Sequence, residues 1–254
     1  METKQLAILS LALAAGTLAA PAAADCRDLP SHATLKTALD AAVAAEASGL
    51  DLQMWATLVD RDGVVCAVAF SGADRGSQWP GSRVISAQKA NTANAFSLAG
   101  LALSTANLYS AVQPGGSLYG LQHSNPVDTG AAYGGNAANY GRHNDPMVGR
   151  KIGGVNVFGG GLALYGSGGG PLGAVGLSGD TSCADHMIAW RVRNNLSLDF
   201  LTGVAGVSGD ATRPDNIVYD IIANPGGGTS ISPGGFGHPT CINTADPATL
   251  PAVR

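Results

Sequence analysis

Hydrophobic and polar positions follow two different periods along the first part of the chain. Residues 35–47 (LKTALDAAVAAEA) place apolar side chains at helical spacing, and Gly49 marks the end of this predicted helix. Residues 54–59 and 64–70 are apolar and β-branched, and they flank the segment Asp60-Arg61-Asp62-Gly63. Since Asp-Gly between two such runs is a strong hairpin signal, the pattern predicts a helix followed by a β-hairpin.

The middle of the chain shows two helical patterns, an irregular stretch and a group of short strands. Helical spacing predicts helices at residues 82–98 and 101–112. Residues 117–152 contain Gly, Asn, Tyr, His and Pro without periodicity, which is typical of a functional loop or an interface inside a compact domain. Short strands separated by glycines are then predicted at residues 155–158, 162–165 and 172–177.

The last predicted elements are a helix and a single strand. Gly179-Asp180-Thr181-Ser182 opens a helix that runs to about residue 194, and Ser182 with Asp185 three residues later matches a capping box. Residues 216–222 predict one late strand, and the remaining tail is rich in Pro and Gly. This order of elements predicts an α+β domain with a mainly antiparallel sheet and helices packed on it.

The N-terminal residues have the pattern of a secretory signal peptide. Lys4 supplies the positive charge, residues 6–13 the apolar centre, and Ala22-Ala23-Ala24 the small residues before a cleavage site. The apolar run is too short to span a bilayer. We therefore expect cleavage after Ala24, no membrane insertion afterwards, and a secreted or periplasmic protein.

The composition limits the partners of the exported chain. Charged residues make up 13% of the sequence, about half the usual share, whereas its 36 glycines are about double the usual number. The formal net charge is −4, and the sequence contains no cluster of Lys and Arg. Nucleic acid and anionic membrane surfaces are therefore poor candidate partners. So few charges also indicate a surface of tight loops, or one that lies against another subunit.

Four cysteines, Cys26, Cys66, Cys183 and Cys241, are expected to form two disulfides, because an even number in an oxidising compartment favours pairing. No two of them are close enough in sequence for a typical metal site. Of three possible connectivities we favour Cys26–Cys66 and Cys183–Cys241. The second would attach the C-terminal tail to the domain, because a segment so rich in Pro and Gly is not expected to be stable by itself.

The predicted helix at residues 82–98 carries the main candidate chemistry. Ser86, Lys89 and Thr92 share one face, which otherwise holds small and apolar residues. A lysine on such a face either extends to solvent or points into a pocket, where its charge would hold a carboxylate with the two hydroxyls as partners. Ser86 and Lys89 also match the Ser-x-x-Lys element of penicillin-recognising enzymes, but the accompanying elements are missing.

The five histidines do not predict a zinc site, because no His-x-x-x-His pair occurs. His123 and His143 lie in the irregular stretch, where a loop could bring either of them to a metal or to a heme iron. A solvated surface position is the alternative for both residues. Gly168-Gly169-Gly170-Pro171-Leu172-Gly173 contains a Gly-x-Gly-x-x-Gly pattern, but it precedes a strand and so does not predict a dinucleotide site.

Three segments together resemble the GlcG/HbpS-type heme-binding family. They are the hairpin Val59-Asp60-Arg61-Asp62-Gly63, the helix Ser86-x-x-Lys89-Ala90-x-Thr92-Ala93, and Gly173-Ala174-Val175-Gly176-Leu177-Ser178-Gly179 followed by Asp185. The resemblance covers roughly residues 33 to 195. It implies a profilin-like domain with a five-stranded antiparallel sheet, assembly into homo-oligomers, often octamers, and binding of heme or a related tetrapyrrole.

By position, Ser86, Lys89 and Thr92 correspond to the helix that borders the ligand pocket in this family. The resemblance then implies that Lys89 faces a propionate. His123 is our nominee for the iron ligand, since the resemblance carries over no axial ligand. The chain departs from the family in its insert, about residues 105–153, and in its tail. We therefore expect a signal peptide at residues 1–24, the family domain at 25–200 and a C-terminal extension at 201–254, with one strand and a disulfide-tethered tail.

Three functions follow from these patterns. The first is an exported binder of heme or another tetrapyrrole, with heme degradation or iron handling as a further role. The second is a non-catalytic structural or interaction protein of the cell envelope, whose glycine-rich insert builds an oligomer interface. The third is a hydrolase that uses Ser86 and Lys89. The sequence shows no acid/base pair typical of an enzyme, so whether the protein is a catalyst stays open.

Overall fold

The computed structural model describes residues 25–228 and 230–254, so the predicted signal peptide at residues 1–24 lies outside it. The described residues contain four α-helices and four strands, besides short 3₁₀ turns. The helices are α1 His32–Ala44, α2 Ser82–Ala95, α3 Thr129–Ala132 and α4 Ser182–Asn195. The strands are β1 Trp55–Asp60, β2 Val65–Phe70, β3 Gly161–Gly166 and β4 Gly170–Ser178. The predicted α+β class is confirmed.

The four strands form one antiparallel sheet with the order β2-β1-β4-β3. The hairpin between β1 and β2 forms as predicted, because the Asp60 carboxylate accepts the backbone N–H groups of Asp62 and Val64. Gly63 completes this turn with a φ of +78°, a conformation that a side chain would strain. β1 therefore lies in the middle of the sheet, between β2 and β4.

Helices cover both faces of the sheet, because side chains on a strand alternate between its two sides. On one face, Ala56 and Leu58 of β1 join the core formed with α1 and α4. On the other face, Trp55 and Val59 pack against α2. The domain thus has three layers, with α2 alone on its side except for the insert that packs beside it.

The contact between α2 and β4 is close because small residues face each other there. A Cβ atom added to Gly176 would lie 1.9 Å from the backbone oxygen of Ser86. Ala87, Ala90 and Ala93 give α2 a buried face without long side chains. The glycine-rich pattern before α4 therefore has a packing reason, since it lets the helix backbone approach the strand.

The expected five-stranded sheet was wrong, because the described residues form a sheet of four. Residues 155–158 are not a strand, since the Asn156 N–H donates to the Thr92 hydroxyl of α2. Residues 216–222 form only an isolated bridge at Ile222, and the Ile217 N–H donates to His186. The predicted helix at 101–112 consists of two 3₁₀ turns, Thr105–Leu108 and Ser110–Val112.

Both predicted disulfides are confirmed. Cys26–Cys66 joins the N-terminal segment to β2 across 40 residues, and Cys183–Cys241 joins α4 to the tail across 58 residues. No helix within the described residues is long and apolar enough to cross a membrane.

Candidate functional site

Helix α2 brings Ser86, Lys89 and Thr92 together on one face, and all three side chains are fully buried. The Ser86 hydroxyl lies 2.8 Å from that of Thr57 and donates to the backbone oxygen of Arg83. The Thr92 hydroxyl donates to the backbone oxygen of Gln88 at 2.8 Å. Both hydroxyls are thus engaged inside the protein, and Ser86 is not placed as a solvent-accessible nucleophile.

The Lys89 ammonium points inward and forms a buried ion pair with Asp185 of α4. Its Nζ atom lies 2.6 Å from the Asp185 carboxylate and 2.9 Å from the backbone oxygen of Leu177. The Phe158 ring covers the amine, with its centroid 4.7 Å from Nζ. Of the two alternatives for this lysine, extension to solvent is therefore wrong.

The surroundings of Asp185 explain how this pair is tolerated. Its second carboxylate oxygen accepts the N–H groups of Gly179 at 3.1 Å and Asp180 at 2.9 Å. Burial raises the pKa of Asp185 to about 6 and lowers the pKa of Lys89, while the attraction between the two charges opposes both shifts. Asp185 is not the capping residue predicted, because Thr181 caps α4 by accepting the N–H of Ala184.

Two further buried ion pairs attach the insert and the C-terminal extension to the helices. Arg83 of α2 binds Asp145 of the insert, with its Nε atom 2.9 Å from a carboxylate oxygen. Arg193 of α4 binds Asp215 of the C-terminal extension at 2.6 Å. Each of the two segments is therefore anchored to a helix by a buried ion pair.

The histidines nominated from the sequence lie at the surface. His123 and His143 are exposed residues of the insert. Two others are buried: burial lowers the pKa of His186 to about 3 and that of His238 to about 4, so both imidazoles are neutral near pH 7. The structure therefore does not bring His123 into a buried cluster with Lys89.

The roomiest of three described cavities is a cleft between the insert and the C-terminal extension. It has a volume of about 810 Å³ and is lined by residues between 109 and 117 and between 221 and 239. The other two cavities, of about 360 and 440 Å³, lie beside Arg75 and Arg142 and beside Thr37 of α1. Ser86, Lys89, Thr92 and His123 line none of the three.

The sequence reasoning missed Tyr109 and His238, which lie at this cleft. Tyr109 lines it, and the His238 ring packs behind Tyr109 with 5.1 Å between the ring centroids. The two residues are far apart in the chain, so no local spacing connects them. The signal that could have found them is the pairing of Cys183 with Cys241, which returns the tail to the domain near His238.

A family profile described as "Haem degrading protein HbpS-like" matches residues 31–193 of the chain. No curated protein matches it significantly. Among solved structures, the Klebsiella pneumoniae protein ORFY is 26% identical, covering 66% of this chain and 90% of its own, with a TM-score of 0.44. A PduOC:heme complex is 24% identical, covering 66% and 94%, with a TM-score of 0.45. HbpS from Streptomyces reticuli, as a double mutant, is 16% identical, covering 75% and 99%, with a TM-score of 0.43.

Proposed function

This chain belongs to the HbpS-like family of heme-degrading proteins, and from that membership we propose that it binds heme or a closely related tetrapyrrole. The observation that carries the proposal is the extent of the family match. Residues 31–193 include α1, the whole sheet, α2 and nearly all of α4. The match therefore covers nearly all of the three-layered core.

The cavities of the protein fit this class of ligand in size. Pockets for cofactors usually measure about 300–1,000 Å³ and are mostly apolar, with a few polar groups. The cleft between the insert and the extension, at about 810 Å³, lies in this range and combines isoleucine, proline and tyrosine side chains with hydroxyls and amides. The cleft therefore has the volume of a cofactor pocket, although polar groups contribute as much to its lining as apolar ones.

The assignment of Ser86, Lys89, Thr92 and His123 to the ligand site stays a prediction, and the structure sets a condition on it. Lys89 already has a carboxylate partner in Asp185. A propionate would have to displace Asp185 from the amine, and leaving that carboxylate buried without its partner is costly. A ring held by Lys89 therefore requires the Lys89 and Asp185 side chains to move apart.

Titration with hemin tests the proposal. We expect a shifted Soret band and saturation at micromolar hemin with the purified mature protein. Lys89→Met keeps the aliphatic stem and removes the charge, and His123→Ala removes the nominated ligand. Unchanged affinity in both variants would refute that site assignment, whereas the absence of any Soret shift in the wild type would refute heme binding. Loss of the band after addition of ascorbate in air would indicate degradation.

Export and self-association are further parts of the proposal. The two disulfides support an oxidising compartment. Edman sequencing of protein secreted from a bacterial host should give Asp25 as the first residue, and a retained Met1 would contradict export by this signal.

A structural role is the second candidate, because the insert exposes large aromatic side chains. Tyr119 is 63% exposed and Tyr133 is 61% exposed. Exposed aromatic side chains of this kind are common at interfaces between subunits. If they form an oligomer contact, Tyr119→Ser with Tyr133→Ser will reduce the mass measured by light scattering. An unchanged mass would show that these two side chains do not form an oligomer contact.

A further inference from the structure

A small pocket between the insert and the loop after β2 (residues 71–81) is lined by two arginines. Its volume is about 360 Å³, and Arg75 lines it from the loop whereas Arg142 lines it from the insert. Within the described residues, six other arginines form ion pairs with acidic side chains, but Arg75 and Arg142 form none. Two guanidinium groups without an acidic partner at one opening favour an anionic ligand.

The Arg142 guanidinium is held in position by the insert. Its Nε–H donates to the backbone oxygen of Ala138 at 3.0 Å, and its two terminal nitrogens make no hydrogen bond within the described part of the chain. The preceding Gly141 N–H donates to the buried Asp145 carboxylate at 2.7 Å, and that carboxylate pairs with Arg83 of α2. The guanidinium is therefore oriented before a ligand arrives, so binding costs less conformational entropy.

The loop that carries Arg75 is held by its own hydrogen bonds. The Asp74 carboxylate, the one acidic group of the described lining, accepts the Gly76 N–H at 2.7 Å and the Ser77 hydroxyl at 3.3 Å. The buried Gln78 amide donates to the Asp74 backbone oxygen at 2.7 Å. Two guanidinium groups and one carboxylate give the lining a net positive charge, in a chain whose formal net charge is −4.

Two aromatic rings, those of Phe70 and Tyr140, form the main apolar part of the pocket. The Tyr140 hydroxyl donates to the backbone oxygen of Tyr133 at 3.0 Å, and the Arg83 guanidinium lies 3.7 Å from the centre of the Tyr140 ring. The Phe70 ring packs edge-on against Trp55, with 5.4 Å between the ring centroids. The pocket therefore combines fixed aromatic surface with two guanidinium groups.

From this combination we infer that the pocket binds a small aromatic carboxylate. A planar guanidinium binds a carboxylate through two parallel hydrogen bonds, and the ring of the ligand would pack on Phe70 or Tyr140. Ligand pockets usually measure about 300–1,000 Å³, so a volume of about 360 Å³ suits a small molecule. The inference goes beyond the proposed function, because it assigns a separate site to a different class of ligand and does not depend on heme binding.

Isothermal titration calorimetry of the purified mature protein with benzoate tests this site. Benzamide is the matched uncharged ligand, because it keeps the ring and replaces the carboxylate with a neutral amide. We expect benzoate to bind about tenfold more tightly than benzamide, and Arg75→Gln and Arg142→Gln each to weaken benzoate binding by about tenfold. Arg150→Gln is the matched control variant and should leave the affinity unchanged, since Arg150 is an exposed arginine of the same insert that lines none of the three described cavities.

The inference is overturned if wild-type protein does not bind benzoate at millimolar concentration, if benzamide binds equally well, or if both arginine variants keep the wild-type affinity. Inorganic phosphate that binds as tightly as benzoate would also overturn it, because the site would then select charge without the aromatic ring. Hemin that displaces benzoate would make this pocket part of the tetrapyrrole site and refute a separate one. If benzoate binds as expected and hemin does not bind at all, the proposed function fails and this inference stands.

Discussion

Removal of the Cys183–Cys241 disulfide should cost a large part of the stability of this protein. The bridge closes a loop of 58 residues. In the chain-entropy description, closing a loop of that length in the unfolded chain stabilises the folded state by about 4 kcal/mol. For a domain of this size, about 4 kcal/mol corresponds to a melting temperature lower by roughly 8–16 °C. The double variant Cys183→Ser/Cys241→Ser avoids a free thiol and should show this shift.

Differential scanning calorimetry without reductant measures the effect. The matched control is Cys26→Ser/Cys66→Ser, whose 40-residue loop predicts a loss of nearly the same size, about 4 kcal/mol. A melting temperature within about 2 °C of the wild type for the Cys183→Ser/Cys241→Ser variant would refute the reasoning. It would show that hydrogen bonds and the Arg193–Asp215 pair hold the extension without the bridge.

Two further predictions concern buried ionisable groups. Asp185→Asn leaves the Lys89 charge without its partner and should lower the free energy of unfolding, measured in urea, by about 3–5 kcal/mol. The double variant Lys89→Met/Asp185→Leu removes both charges and should recover most of the loss. Equal stability of Asp185→Asn and the wild type would contradict the ion pair. His186 has its pKa lowered by burial to about 3, below the 6.5 of an unperturbed histidine, so the unfolded chain binds more protons between these values. The free energy of unfolding should therefore fall as the pH is lowered from about 6.5. In urea titrations at a series of pH values, His186→Gln should reduce the slope of unfolding free energy against pH. An unchanged slope would indicate that His186 is protonated in the folded protein.

The sequence was sufficient for the parts of the fold that depend on local pattern. The hairpin is specified by Asp60 and Gly63, which form the turn from neighbouring residues. Helices α1, α2 and α4 follow from apolar spacing, and their predicted ends differ from the observed ones by a few residues. The disulfide pairing was also correct, and it was the main long-range information available.

The parts that depend on distant contacts could not be read from the sequence. Residues 155–158 have the composition of a strand, but the backbone N–H of Asn156 donates to the Thr92 hydroxyl and not to a neighbouring strand. Asp185 matches a helix cap by position, and only the folded chain shows that Lys89, 96 residues away, is its partner. Tyr109 and His238 are likewise neighbours only because the tail returns to α4.

The three enclosed ion pairs affect how the molecule behaves in solution. They remove three of the 14 Lys and Arg side chains and three of the 18 Asp and Glu side chains from the surface, without changing the net charge of −4. A protein with so sparse an outer charge has weak electrostatic repulsion between molecules. Its solubility should therefore depend on hydration of glycine, serine and asparagine loops, and concentrated samples should tend to cluster near the isoelectric point regardless of moderate salt.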